Sequence, residues 1–431
     1  MTGSAIPANL NAARTYTART ERRVYLKTIL ALAVLLRLGV IWMVIASFPR
    51  NWLFSSAPDL GFLAEALVTG HGFSSPFGGS TGPTALVTPG YPAVVAVIFR
   101  IFGSYTVTSA VAVMVLQMLF TVLTIAAMVH IASRLFGAGT ANLAGFVWAV
   151  SLPLLWMPAI FWETCLSALF LTGMIALALH SVEMPGKAMW ILIGAYCGLT
   201  MWVNPSLILA MLAIAVWAAW RTRSNCGYAP WVGLLIALVV IAPWPIRNAY
   251  ALHAFIPLRS SFGYELWQGN RAGETGVFES DLYPANSKRE FAVYASEGEL
   301  AYMRDKSTLA EAYIRAHPGE FIRLTGKRVL RFWIGTGGQE DSGLVELHAA
   351  TTSLLGWLGL VALFKRRRTT AMLFLPALLL YPLPYYITDV KARYRLTLDP
   401  LLTILAAYAV IQLVARLNRR HKSQLSTASS K

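Results

Sequence analysis

Long apolar runs separated by short polar connections dominate the chain. To cross ~30 Å of hydrocarbon as a helix, a run must supply ~20 apolar residues. Runs of about that length fall at residues 28–47, 108–131, 140–157, 164–181, 188–203, 206–220, 230–246, 347–364, 370–387 and 397–415. Each is expected to be helical, because lipid offers no partner to an unpaired backbone group. The apolar stretch 91–102 is shorter and carries Arg100, so it predicts a helix at the interface rather than a span.

Two segments break the pattern. In the first, residues 48–107, Leu60, Leu63, Ala64, Leu67 and Val68 follow Asp59 at helical spacing. They predict a short interfacial helix closed by Gly70 and Gly72. Pro83, Pro89 and Pro92 then force irregular backbone, which at membrane depth is tolerated only under protein cover or around a wet cavity. The second segment, residues 247–346, is the longest polar one. Its stretch 287–333 is charged at helical spacing and broken at Pro318, predicting two or three helices.

The fold class expected is an all-α polytopic membrane protein. It comprises a bundle of about ten transmembrane helices, interfacial helices in the first outer loop and a small helical outer domain. Three parts follow: 1–246 with the first loop, 247–346 outside the bundle, and 347–431 with the last helices. The ends, 1–20 and 418–431, are expected to be disordered.

Composition supports this reading: 56% of residues are hydrophobic and 13% charged, a balance foreign to soluble domains. The formal charge of +16 is distributed between the spans rather than gathered in a patch, which excludes a nucleic-acid partner. Arg14, Arg19, Arg22, Arg23, Lys27, Arg134, Lys187, Arg221, Arg223, the run 365–368, Arg416, Arg419, Arg420, Lys422 and Lys431 all fall on one side of the alternation. The positive-inside tendency makes that side cytoplasmic, with both termini inside a bacterial inner membrane. The long first span lacks a small-residue cleavage site, so a cleaved leader is not expected. Cys165, Cys197 and Cys226 suggest neither a disulfide framework nor a metal site.

Candidate chemistry collects on the expected outer side. Asp59 stands at the start of the short loop helix, where it could cap the helix or serve a reaction; Phe62, not Glu or Gln, stands three residues on, so there is no capping box. Glu163 opens the fourth span, and Arg247 stands where the seventh ends. Lys391, Arg393 and Arg395 crowd the outer turn before the last span, against the positive-inside tendency. Such cations either anchor lipid headgroups or meet a phosphate, for which the planar arginine fork is suited. Arg37, in mid-span, is expected to face protein carbonyls or a polar cavity.

In order along the chain stand an Asp just past the first span, "GHGFS", "TPGYPAVVAVIFRIFG", "FWETCLSALF", "APWPIRN" and "KARYRLTLDPLL". Together they resemble the membrane glycosyltransferases of the GT-C type, family 39: protein O-mannosyltransferase-like enzymes and the aminoarabinose transferases acting on lipid A. The resemblance implies transfer of a sugar from a polyprenyl-phosphate carrier to a lipid, glycan or protein acceptor on the outer face. It places the catalytic carboxylate on Asp59 and the phosphate site on Arg247, Lys391, Arg393 and Arg395, with Tyr91 and His71 as further substrate contacts. A second acid late in the first loop is missing from "PTALVTPGYP"; of Glu65 and Glu163, Glu163 is the preferred substitute. No cofactor is assigned, and a divalent metal is left open. The rival reading is a transporter or flippase of a lipid-linked sugar precursor, but internal repeats are not evident and the polar groups gather on one face.

Overall fold

The computed structural model describes residues 23–49, 52–274, 279–335 and 343–428, with side chains to residue 421. Arg14, Arg19, Arg22, Lys422 and Lys431 lie outside what can be compared. In chain order the helices that carry the argument are α1 (Leu26–Ser47), α2 (Pro58–Val68), α3 (Gly90–Phe102), α4 (Val107–Phe136) and α5 (Ala138–Val150). Next come α6 (Thr164–Glu183), α7 (Lys187–Val203), α8 (Ile208–Cys226), α9 (Ala229–Ile241), α10 (Pro243–Leu252) and α11 (Phe262–Gly269). The last are α12 (Lys288–Glu297), α13 (Glu299–Ala316), α14 (Pro318–Ile334), α15 (Gly343–Arg366), α16 (Arg368–Leu380), α17 (Ala392–Leu396) and α18 (Asp399–Ala428).

Among the described residues, 8 helices are long and apolar enough to cross a membrane, and a pair bent by 61°, α5 with Leu152–Ala159, makes a ninth. The expected span at 188–203 is α7, a shorter apolar helix of 17 residues. Every apolar run read from the sequence is therefore a helix, and the chain is a multi-pass membrane protein. Its outer surface is rich in bare apolar side chains such as Trp42, Val216 and Trp231, which a hydrocarbon surround accepts and water does not. The expected disorder from 418 onward is not found as far as Ala428, because Arg, Lys and Gln extend α18 as good helix formers.

Small residues set the closest helix pairs. A Cβ at Gly194 or Gly198 of α7 would collide with Gly233 or Val240 of α9, and one at Gly356 or Gly359 of α15 with Leu402 or Leu405 of α18. Membrane helices lack a hydrophobic drive toward each other, so close backbone approach supplies the van der Waals contact that holds them.

The break after α5 has a specific cause. Pro153 has no N–H for Ala149 O and the turn at Ser151 takes the Leu152 N–H away from Trp148 O, so both carbonyls lose their helical partners. Arg37 replaces them: Nη2 donates to Trp148 O at 3.3 Å and Leu154 O at 3.3 Å, and Nη1 to Ala149 O at 3.2 Å. The mid-span arginine faces protein carbonyls, as its position predicted.

Over one end of the bundle lies a layer of α11 to α14. The stretch 287–333 forms three helices, and Pro318 starts the third at a position where its missing N–H costs nothing. Gly298, at φ 80°, makes the sharp turn from α12 into α13. The first residue of α13, Glu299, is buried and accepts from Ala85 N at 2.7 Å, Ser260 Oγ at 2.7 Å, Tyr294 Oη at 2.9 Å and the Thr84 hydroxyl. From the bundle side, Arg247 of α10 donates to Thr84 O and Phe73 O, both at 2.6 Å. These two side chains fix the irregular first loop between layer and bundle. Covered in this way, α2 does not lie bare at an interface as expected: Leu60, Leu63 and Ala64 are buried against protein.

Glu299→Gln exchanges an all-acceptor carboxylate for an amide that must turn a donor toward at least one of these four donors. Because hydrogen bonds to a charged group contribute about 1.5–3 kcal/mol each, thermal unfolding in detergent should show a loss of about 3 kcal/mol. An unchanged melting temperature would show that the loop is held elsewhere.

Candidate functional site

The site grows from three short elements brought to the same end of the bundle. The first is α2, with Ala57 as its cap, Pro58 at its first position and Asp59 next. Asp59 is therefore not the cap. It is 1% exposed, and among the described residues neither carboxylate oxygen accepts a hydrogen bond of standard geometry. The Tyr283 hydroxyl approaches it closely enough to act on it. A buried carboxylate without full partners is costly to structure and marks a group kept for something else.

The second element is the turn into α6, which carries the "FWE" of the family-like motif. Trp162 and Glu163 emerge together, and Glu163 is close enough to Asp59 for each charge to act on the other. Glu65 is not part of this pair; its partner is the Tyr105 phenol. Tyr91, at the start of α3, is buried with its hydroxyl near Glu163.

The third element is the turn from Asp389 through α17. The Arg393 guanidinium lies 3.6 Å over the Trp162 ring and donates to Tyr394 Oη at 3.4 Å. Lys391 stands 3.9 Å from Asp389. Arg393 is the hub: Asp59, Glu163 and Asp389 all feel its charge. Behind it, Arg259 pairs with Glu265 at 3.3 Å and Ser261 Oγ donates to the same carboxylate at 2.9 Å.

The electrostatics follow from burial. Burial pushes the Asp59 carboxyl up from its usual 3.8, while Arg393, Tyr283 and Lys391 pull it down. Burial likewise raises Asp389, opposed chiefly by Lys391. The Lys391 ammonium is lowered to about 8 by burial and then by Arg393, although Asp389, Glu265 and Asp59 resist. Burial also disfavours the Arg393 charge, but Tyr394, Glu163, Asp389 and Asp59 outweigh it and Arg393 is held firmly protonated. The result is a carboxylate with raised basicity beside a guanidinium and a nearby ammonium.

Two residues expected at the phosphate site, Arg247 and Arg395, and the expected substrate contact His71 stand elsewhere. Arg247 is committed to the first-loop carbonyls and to Asn248 Oδ1 at 3.1 Å, with Trp244 and Phe73 against its guanidinium. Arg395 points into the bundle, paired with Asp399, because it follows Arg393 by two residues on a helix and so faces the other way. His71 is exposed past the end of α2, its Nδ1 2.8 Å from Thr69 Oγ1. Conversely, Tyr283, Asp389, Glu265 and Arg259 escaped the sequence reading. Asp389 had a signal, an acid two residues before a lysine in an already unusual cationic turn; Tyr283 had none. No group of three or more His, Cys, Asp or Glu among the described residues is arranged to hold a metal, and the charge of Arg393 acts on both Asp59 and Glu163.

Residues 86–246 match the family model of dolichyl-phosphate-mannose-protein mannosyltransferases. Among curated proteins none matches the sequence. The oligosaccharyltransferase of Archaeoglobus fulgidus, solved with Zn and sulfate, is 14% identical with a TM-score of 0.52 over 94% of this chain and 51% of that one. The same organism's AglB, in complex with an inhibitory peptide and a dolichol-phosphate, gives 12% identity and a TM-score of 0.52 over 93% and 52%. ArnT from Cupriavidus metallidurans, bound to undecaprenyl phosphate, gives 15% and 0.40 over 86% and 77%. The chain spans about half the length of the archaeal enzyme. Its fold is of the GT-C type, a polytopic helical bundle, as the motif order implied.

A titration of carbon-13-methylated lysines, with Lys391→Arg to assign the signal, should place Lys391 at about 8 instead of the usual 10.5. Asp389→Asn should move it lower still, because Asp389 is the strongest group favouring its charge. A midpoint above 10 would remove Lys391 from the buried cluster.

Proposed function

We propose that this protein is a membrane glycosyltransferase that moves a sugar from a polyprenyl-phosphate carrier to a hydroxyl of a lipid, glycan or protein acceptor. The observation that carries the proposal is Asp59, buried without full hydrogen-bond partners and facing Arg393 and Lys391, in a GT-C-type fold. The acceptor oxygen attacks the anomeric carbon and the bond from that carbon to the phosphate oxygen breaks. The phosphate keeps the electron pair, and Asp59 takes the acceptor's proton. A carboxylate raised by burial is a better proton acceptor than an ordinary one. Arg393 and Lys391 meet the charge that grows on the departing phosphate, where fixed cations contribute most. Glu163 and the Trp162 ring hold the Arg393 guanidinium in place, and Tyr91 lines the Glu163 side. Acceptor contacts come from the 247–346 layer, which already sends Tyr283 to Asp59.

Incubating the purified protein with a radiolabelled polyprenyl-phosphate sugar and a membrane extract should label an acceptor fraction. Asp59→Asn should then cut turnover by roughly 10²–10⁴-fold, since an amide cannot take the proton. Polyprenyl-phosphate binding should survive, because loss of a nearby negative charge does not weaken an anion's hold on Arg393. Near wild-type transfer by the Asn variant would end Asp59's role as base.

The proposed setting is a bacterial inner membrane, with both termini cytoplasmic and the 247–346 layer outside. A cysteine placed at position 366 should be shielded from impermeant label in intact cells. Labelling there from outside would invert the arrangement.

A further inference from the structure

The turn that presents Lys391 and Arg393 cannot hold itself. Helix α17 has 5 residues, and a helix that short costs more to nucleate than its own bonds return. Its upstream end is tied down by Asn270 Nδ2, which donates to Ile387 O at 2.8 Å, and by Arg328, which reaches Tyr386 O at 3.4 Å. Its downstream end is tied by Arg395. One guanidinium nitrogen of Arg395 bonds Asp399, and the other donates to Ala349 O at 3.0 Å, to Ser353 Oγ at 3.1 Å and to Thr352 Oγ1.

The chain of bonds continues. Asp399 is fully buried, and its second oxygen lies 3.1 Å from His348 Nε2. A carboxylate only accepts, so Nε2 donates to it, and Nδ1 on the other side of the ring lies 3.0 Å from Ser151 Oγ. Ser151 sits at the break whose free carbonyls Arg37 satisfies. Four elements thus converge behind the cationic turn: the α5 break, α15, α17 and the start of α18.

We infer that the chain Ser151–His348–Asp399–Arg395 sets where Arg393 and Lys391 stand, so that these four are positioning residues for the donor phosphate. Arg393 and Arg395 lie on opposite sides of one short helix, so locking one inward aims the other outward at Asp59 and Glu163. The inference rests on the proposed donor-phosphate role of Arg393 and Lys391.

The test uses the full chain in detergent, with a sugar-free polyprenyl phosphate as the binding probe and steady-state transfer as the second readout. Asp399→Asn should weaken polyprenyl-phosphate binding about tenfold and raise donor KM to match, with kcat within about threefold. His348→Leu should do the same. His348→Gln, whose amide can donate to Asp399 and accept from Ser151, should keep binding within about threefold of the parent. A merely structural chain would lower kcat through the active fraction and leave binding and KM unchanged, and that result overturns the inference. If Asp399→Asn does not fold, Ser151→Ala, which removes only the outermost hydroxyl, decides. About threefold weaker binding supports the positioning role and unchanged binding ends it. A parent protein that does not bind the polyprenyl phosphate overturns the donor reading itself, whereas parent binding with indifferent variants overturns only the positioning chain.

Discussion

An irregular loop can be packed against a membrane bundle only if the backbone groups it buries find partners. Here that requirement is met by two oppositely charged side chains, Glu299 from the layer and Arg247 from the bundle, which grip the same few residues of the first loop. Glu299 takes the Thr84 hydroxyl and the Ala85 amide, while Arg247 takes the carbonyls of Thr84 and Phe73. Everything that defines the site hangs from that grip. It closes the layer over α2, buries Asp59, and lets Tyr283 of the layer reach a carboxylate carried by the loop.

Once Asp59 is dry, the charges around it cannot be independent. A buried acid needs a cation, and Arg393 serves Asp59, Glu163 and Asp389 together while resting on the Trp162 ring. An arrangement with surplus cation demand and an unpartnered carboxylate is poor for stability alone. It suits a site that receives a phosphate on the cationic side and a hydroxyl on the acidic side. The stable ionic chemistry is kept apart, on the far side of α17, where Arg395, Asp399 and His348 satisfy one another.

The sequence foretold a good deal of this for reasons of length and period. Apolar runs of span length become helices because lipid allows nothing else; eight of the ten expected runs did so outright, one is a pair bent by 61°, and one is the shorter helix α7. Arg37 had to find carbonyls at its depth, and the break at Ser151 and Pro153 freed them. What misled was the treatment of each cation as an independent outward charge. Arg247, Arg393 and Arg395 look alike in sequence, yet one braces a loop, one faces the acids and one locks the bundle. The i, i+2 spacing that separates the last two was legible; which of the two sides held the acids was not.

Composition, hydrophobic period and motif order by themselves determined a polytopic helical protein of GT-C type, with Asp59 and a cationic last turn as its candidate chemistry. Only the tertiary structure decided that Asp59 and Glu163 come close enough to act on one another, that Tyr283 and Asp389 join their cluster, and that Arg247, Arg395 and His71 do not. The physical reason is that the spans are specified locally, by the solvent around each helix. The site is instead made by partners more than a hundred residues apart, whose meeting depends on how loop and layer pack.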